Sequence, residues 1–377
     1  MSLRPVSIIG VGLTPFDKHE GRPVESLARE AVVAAMRDGG IARDEVHAVY
    51  VAHLYQGEVL GQRILRELAF PEIMIVNIEN ACAGGSTAVR EAWMAIATGQ
   101  CDVALAIGAE KMGRGLISFA SADVELALGN TAPGQYALAA SRHMYEFGST
   151  QEAFARIAVK SRAHATRNPN ARFREEVTLE EVMSSRPIAE PLTLLQCCRN
   201  GSGAAAVVLA SDELVRRKGG RGVRVLASGL ASIMADKEQR DLTSFGATRA
   251  ASRIAYEQAG LGPEDIDVVE LHDAFTVGEF LHYEGLGLCA KGEASRLVMD
   301  GATTLGGAIP VNVSGGLLSK SHPLGATGVA QFAELTWQLR GAAEGRQVEG
   351  ARIALAQSQG GTGLEAGATC VTILARS

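Results

Sequence analysis

Four short stretches of this chain carry residue types able to do chemistry. The first is IENACAGGST, where Cys82 stands between an apolar run at 73–79 and an amphipathic run at 84–98. A cysteine at a strand-to-helix turn meets unsatisfied backbone N–H groups and the positive end of the helix dipole, so its pKa is expected below the free value of about 8.5. The thiolate is the nucleophile, and the small residues Ala81, Ala83, Gly84 and Gly85 leave a substrate room to reach it. An arbitrary free cysteine is most often a small buried hydrophobe; the turn singles this one out. The second stretch is GGLLSKSHPLGATGVA, which puts His322 at another glycine-rich turn entering a helix. Pro323 suits a first helical turn, and Gly315, Gly316 and Gly325 permit close backbone approach. A histidine there can act as a base toward a thiol or as a donor toward developing negative charge. In the third, VVELHDAF, His272 and Asp273 follow an apolar strand directly, the alternative being a loop-capping pair. The fourth, QSQGGTG, offers the backbone N–H groups of Gly360 and Gly361 to an oxyanion, although a glycine run is more commonly a turn.

Positioning such groups requires strands that end together and helices that start beside them. Residues 6–12 read as a buried strand, 25–39 as a helix, 46–52 as a strand, 73–79 as another buried strand, 84–98 as a helix and 103–108 as a strand. Strands that are apolar throughout belong to a parallel sheet covered on both faces. The same grammar returns with strands at 223–227, 266–272, 351–356 and 369–374 and helices at 248–259 and 326–340. Setting Gly40 on Gly260 matches Asp44 with Glu264, Val46 with Ile266 and Val49 with Val269. Setting Gly85 on Gly325 matches Thr87 with Thr327 and Val89 with Val329, and puts Cys82 opposite His322. Spacing this wide exceeds the about 20–50 residues of a solenoid repeat and signals a duplicated domain. The halves are read as 1–222 and 223–377, the first holding an excursion at 113–202 without regular alternation and a connecting strand at 203–210. Long loops on a compact body are commonly functional. Two equivalent helix starts then converge on one crevice beyond the carboxyl ends of the strands.

Composition narrows the class. The 377 residues exceed the about 100–200 of one ordinary domain, and 47% apolar with 21% charged residues is globular. A net charge of −6 argues against a nucleic-acid partner, which needs a basic face. No apolar run approaches the roughly 18–20 residues of a membrane span, and the N-terminus lacks a signal-peptide pattern, so a cytoplasmic protein is expected. Six cysteines without paired CxxC spacing form neither a disulfide frame nor a metal site.

These segments, in this order, resemble the thiolase superfamily, in the branch holding the sterol-carrier-protein thiolases and the archaeal acetyl-CoA acetyltransferases. The matching motifs extend to NP-x-A-x-F at 168–173, EVMSSRPIAEPLTLLQCC at 181–198, ELHDAF with YEGLGLC over 270–289, and VNVSGGLLSKSHPLGATG at 311–328. The resemblance implies an α/β body of two thiolase-type halves in five αβαβα layers, assembled as a homodimer or homotetramer. It implies an acyl group carried on Cys82, His322 activating that thiol, His272 in one oxyanion hole, and the N–H groups of Cys82 and of Gly360 or Gly361 in the other. It implies a coenzyme A thioester as substrate, with no covalently bound cofactor, entering by the excursion. There Arg156, Lys160, Arg162, Arg167, Arg172 and Arg174 form a basic run. Thiolases of the classical type carry a second cysteine in the C-terminal glycine loop, and sterol-carrier-type relatives carry one in an HDCF version of the third motif. This chain has Gly360–Gly361 and Ala274 at those places.

Three functions fit these residues. The first is an acyl-CoA C-acyltransferase working by Claisen condensation or thiolysis through acyl-Cys82. The second is a retro-aldol lyase that cleaves β-hydroxyacyl-CoA side chains of sterols with a small OB-fold/zinc-ribbon partner, as some relatives do. The third is a CoA-ester or lipid-binding protein without turnover.

Overall fold

Alternation of side chains along a strand assigns its two faces to different layers. The structure is a computed structural model that describes residues 3–113, 115, 128–129, 131–220, 222–233, 241–362 and 366–377. Its strands are β1 (Val6–Leu13), β2 (Ala48–Ala52), β3 (Met74–Ile78), β4 (Val103–Glu110), β5 (Pro187–Ala189), β6 (Leu192–Thr193), β7 (Gly203–Ser211), β8 (Val223–Ala231), β9 (Val268–Glu270), β10 (Ile353–Thr362) and β11 (Ala366–Arg376). In β2, Val49 and Val51 cluster with Leu27, Ala31 and Val32 of the helix Val24–Gly39. Ala48, Tyr50 and Ala52 point the other way, into a cluster with Ala88, Ala92 and Ile96 of the helix Gly84–Ala97 and Val329, Phe332 and Ala333 of the helix Leu324–Arg340. That second cluster also takes in Val268 of β9, Ala354 and Ala356 of β10 and Leu374 of β11. The far face of the same strands, through Val269, Leu355, Val371 and Ile373, packs on Ala251 and Ala255 of the helix Gly246–Ala259. Helix, sheet, two central helices, sheet and helix follow one another, which is the αβαβα layering.

The strand order is β3-β2-β4-β7-β1-β8-β11-β10-β9. Val311 bridges Val269 in parallel beyond β9, so both arms read third, second, fourth, fifth, first from the edge inward. β1 and β8 join the arms through antiparallel pairs over Val6–Ile8. Equivalent helices end alike, at Gly40 (φ 59°) and Gly260 (φ 66°), left-handed positions where glycine carries no Cβ penalty. The central helices begin at Gly84 and Leu324, the register anticipated from the sequence. They approach through glycine: a Cβ on Gly85 would sit 2.7 Å, and one on Gly108 of β4 2.2 Å, from the carbonyl oxygen of Gly325.

Three expectations change. Residues 73–79 do form a strand, but β3 is an edge, paired only with β2, and Met74 and Val76 are 46% and 37% exposed rather than buried. Within the described residues, the irregular excursion contains the helices Ala132–Phe147, Gln151–Ala165 and Leu179–Ser184 and the β5–β6 pair, packed against the C-terminal arm through Tyr136, Phe154, Phe280 and Leu281. Alanine supplies much of the apolar stripe of the first two helices, which blunted their periodicity. Gly360 and Gly361 belong to no turn; they extend β10 and face Ala368 and Gly367 of β11, where a Cβ on Gly367 would lie 1.7 Å from the Gly360 oxygen.

The glycine contact between layers has a measurable consequence. Gly108→Ala is expected to lower stability by about 1–3 kcal/mol, the usual range for overpacking, read as an earlier midpoint in a guanidinium titration. Gly134→Ala, whose new Cβ meets nothing among the described residues closer than the Thr131 hydroxyl at 3.8 Å, is expected to leave the midpoint in place or raise it slightly.

Candidate active site

Cys82 lies in a short 3-10 turn, Ala81–Ala83, that runs straight into the helix Gly84–Ala97. Ala81 takes φ 46°, a left-handed backbone unusual for a residue with a Cβ, and its N–H donates to Glu79 Oε1 at 2.7 Å. The turn is braced from the other arm: a Cβ on Gly360 would lie 2.6 Å from the Cys82 nitrogen and 2.2 Å from the Asn80 oxygen. Glycine at 360 therefore lets β10 press against the nucleophile's backbone.

His322 stands in the equivalent place. Its N–H donates to the Arg199 oxygen at 2.9 Å, and Ser321 before it takes φ 78°. His322 Nδ1 lies 2.8 Å from Thr327 Oγ1, and that hydroxyl donates its own hydrogen to the Pro323 oxygen at 3.0 Å. With its single hydrogen spent, the hydroxyl accepts from Nδ1–H, which fixes the tautomer and leaves Nε2 with a free lone pair. Nε2 is buried without a partner among the described residues. Cys82 Sγ and one ring nitrogen of each of His272 and His322 lie within 4.8 Å of one another, and the two rings meet edge to face with centroids 5.0 Å apart. Cys82, His272, His322, Gly360 and Gly361 all line one cavity of about 990 Å³.

Burial governs the charge of these groups. His272 is held down to about 4 and His322 well below its ordinary value by loss of solvent. The expected drop in the Cys82 pKa does not occur. Burial, reinforced by the Glu110 carboxylate, pushes the thiol up to about 12, and the backbone hydrogen bond at the turn offsets only part of that. At neutral pH the site therefore rests as a thiol and two neutral imidazoles, and His322 Nε2 is placed to take the thiol proton as an electrophile arrives.

The basic run does not form one face. Helical rotation sends its members apart: Arg156 pairs with Glu152 at the surface, Lys160 is buried against Glu279 and Tyr283, and Arg162 lies over the Phe173 ring. Of the six, Arg172 alone lines the cavity, where Lys18, Lys111, Arg186 and Arg199 join it. Sequence reasoning also missed Glu110. Its carboxylate accepts from the N–H groups of Leu54 (2.9 Å), Tyr55 (3.0 Å) and Gly325 (3.0 Å), tying the end of β4 to the second central helix. The signal was a lone acid closing the apolar run VALAIGAE. Asp273 accepts from Leu317 N–H at 2.7 Å and caps the short helix Gly316–Lys320, so within the His-Asp pair only His272 faces the cavity.

Residues 6–213 match the family described as Thiolase, N-terminal domain, and residues 229–376 the one described as Thiolase C-terminal domain-like. The chain is 43% identical over 368 residues to the benzoylsuccinyl-CoA thiolase subunit BbsB of Thauera aromatica, with 95% of each covered. It is 40% identical to an acetyl-CoA acetyltransferase of Methanothermobacter thermautotrophicus, covering 99% of this chain and 100% of that one. The solved structure titled Ltp2-ChsH2(DUF35) aldolase superposes with a TM-score of 0.88 at 30% identity, over 99% of this chain and 98% of the other.

A raised thiol pKa predicts the course of alkylation. The rate at which iodoacetamide modifies Cys82, followed by peptide mass spectrometry, is expected to keep rising above about pH 10, where an ordinary thiol of pKa about 8.5 has levelled off. A plateau below about pH 10 would contradict the burial argument.

Proposed function

The chain belongs to the thiolase family, and on that premise we propose that it is an acyl-CoA C-acyltransferase that passes an acyl group through Cys82. The observation that carries this reading is His322, whose Nε2 has no partner among the described residues and one ring nitrogen of which lies within 4.8 Å of the Cys82 sulfur, inside a cavity whose described walls carry five cations. In the proposed cycle His322 removes the thiol proton as sulfur attacks a thioester carbonyl. The N–H groups of Cys82 and Gly361 receive the oxyanion of that step, and His272 receives the negative oxygen of the enolate. Lys18, Lys111, Arg172, Arg186 and Arg199, opposed among the described lining residues by the single acid Glu20, suit the phosphates of coenzyme A. No cofactor is required by this chemistry.

The same reading takes residues 1–222 and 223–377 as its two halves and makes the protein a homodimer, or a homotetramer built from such dimers. Support comes from β3, an edge strand whose exposed Met74 and Val76 would be covered by antiparallel pairing with a second copy. No helix among the described residues is long and apolar enough to cross a membrane; we place the protein in the cytoplasm, where its free thiols stay reduced. A second reading, a retro-aldol lyase with a small OB-fold partner, is favoured by the similarity to the aldolase complex.

Incubation with acetyl-CoA and measurement of intact mass tests the reading. Wild type is expected to gain one acetyl group on Cys82, Cys82→Ala none, and His322→Ala none on the same time scale. Formation of the adduct should change less than about twofold between pH 8 and 6, because a neutral His322 persists, whereas an imidazole of pKa about 6.5 would be only about one quarter neutral at pH 6. His272→Ala should still acylate but slow carbon–carbon cleavage by roughly 100- to 1000-fold. If Cys82→Ala cleaves a β-hydroxyacyl-CoA and wild type never acylates, the lyase reading replaces this one. Val76→Lys should shift the protein toward a monomer in light scattering; an unchanged mass would remove β3 from the interface.

A further inference from the structure

Cleavage between the α- and β-carbons of a 3-ketoacyl thioester releases an enolate that must be protonated at carbon, and condensation must remove a proton from that same carbon. When this happens Cys82 carries the acyl group and, on the reading above, His272 holds the enolate oxygen. The group that exchanges this proton must lie on the cavity wall, and it is either His322, once that residue has taken the Cys82 proton, or a further acid–base group. Several candidates there are already committed. Lys111 Nζ donates to the Arg22 oxygen at 2.7 Å. The Cys197 thiol donates to the Thr193 oxygen at 3.3 Å. Its neighbour Cys198 also lines the cavity.

The backbone fixes where Cys198 points. Cys197 and Phe275 form an antiparallel bridge, and the Cys198 N–H donates to the Ala274 oxygen at 2.8 Å. Residues opposed across an antiparallel pair direct their side chains to the same side. Cys198 and Ala274 therefore share a face, and both line the cavity with Cys82, His272 and His322. Ala274 ends in a methyl group that exchanges no proton; the segment paired with it carries the Cys198 thiol opposite that residue. Tyr136, stacked on Phe275 with centroids 4.4 Å apart, lines the same cavity.

We propose that Cys198 is the acid–base thiol of the carbon–carbon step, an inference that rests on the acyltransferase reading. In thiolysis, His322 takes the Cys82 proton while sulfur attacks the ketone carbon. The bond between the α- and β-carbons breaks, and the enolate carbon takes its proton from the Cys198 thiol. The proton on His322 then returns to the Cys198 thiolate, leaving acyl-Cys82 and the shortened thioester with every proton accounted for. Condensation runs the same transfers backwards. Burial holds the Cys198 thiol well above its ordinary value, which keeps it protonated at rest, as a donor requires.

The test separates acylation from carbon–carbon cleavage. Cys198→Ala and Cys198→Ser should form the Cys82 acetyl adduct from acetyl-CoA within about threefold of wild type, yet lose about 100-fold or more in thiolysis of acetoacetyl-CoA, the usual scale of a positioned acid. Adduct formation reports that the folded site is intact, and the serine variant keeps the side-chain volume should alanine disturb it. Placing the thiol across the bridge, in Cys198→Ala with Ala274→Cys, should recover about tenfold or more over Cys198→Ala. Thiolysis by both single variants within about threefold of wild type overturns the assignment while leaving the acyltransferase reading intact, and so does a double variant no faster than Cys198→Ala. Absence of any adduct on wild type overturns the acyltransferase reading itself, and this inference with it.

Discussion

Everything at the site depends on how closely two helices approach. The starts of the helices Gly84–Ala97 and Leu324–Arg340 carry Cys82 and His322, and a proton can pass between those side chains only if the helices nearly touch. Glycine makes that possible at several points. A Cβ on Gly85 would strike the Gly325 oxygen at 2.7 Å, one on Gly328 the Ser86 nitrogen at 2.5 Å, and one on Gly325 the Ala52 oxygen at 2.6 Å. Side chains at these positions would hold the layers apart, and interiors packed to crystal-like density have no slack to absorb the difference. Glu110 locks the arrangement by accepting from Gly325 N–H and from the loop after β2 with one carboxylate.

That closeness buries the reacting side chains, and their desolvation sets the chemistry. A thiol raised to about 12 and a His272 lowered to about 4 describe a site in which neutral forms are favoured before substrate arrives. Charge then appears only as bonds are made, next to backbone N–H groups that are already in place. Preorganised donors in a dry site stabilise such charge more than water would, because they need no rearrangement.

Duplication supplied two equivalent positions, and side-chain choice made them different. Thr87 and Thr327 occupy the same place on the two central helices, and each hydroxyl donates to the carbonyl four residues earlier, Ala83 at 2.9 Å and Pro323 at 3.0 Å. On the first helix the oxygen lone pair accepts from Asn80 Nδ2 at 3.1 Å and steadies the turn before Cys82. On the second it accepts from His322 Nδ1 at 2.8 Å and decides which nitrogen is basic. Equivalent threonines thus steady the turn before Cys82 in one half and the His322 ring in the other.

The sequence alone determined the alternation of strands and helices, the offset that sets Cys82 opposite His322, and the four segments that line the cavity. These are periodicity and turn signals, which are local and survive in a one-dimensional string. Tertiary structure decided the rest. The sign of the Cys82 shift turned on desolvation and on Glu110, which no spacing within IENACAGGST reveals. Which cations reach the cavity turned on helix rotation, so that Arg172 faces it while Lys160 turns inward to Glu279. The run at 73–79 looked like buried strand because apolar content says nothing about whether a neighbouring strand exists; as the last strand of its arm, β3 leaves Met74 and Val76 uncovered. Cys198 became chemically interesting only once a bridge from 197 to 275 laid it beside Ala274. Burial, charge and cross-chain distance depend on residues tens to hundreds of positions away, and only the folded chain brings those residues together.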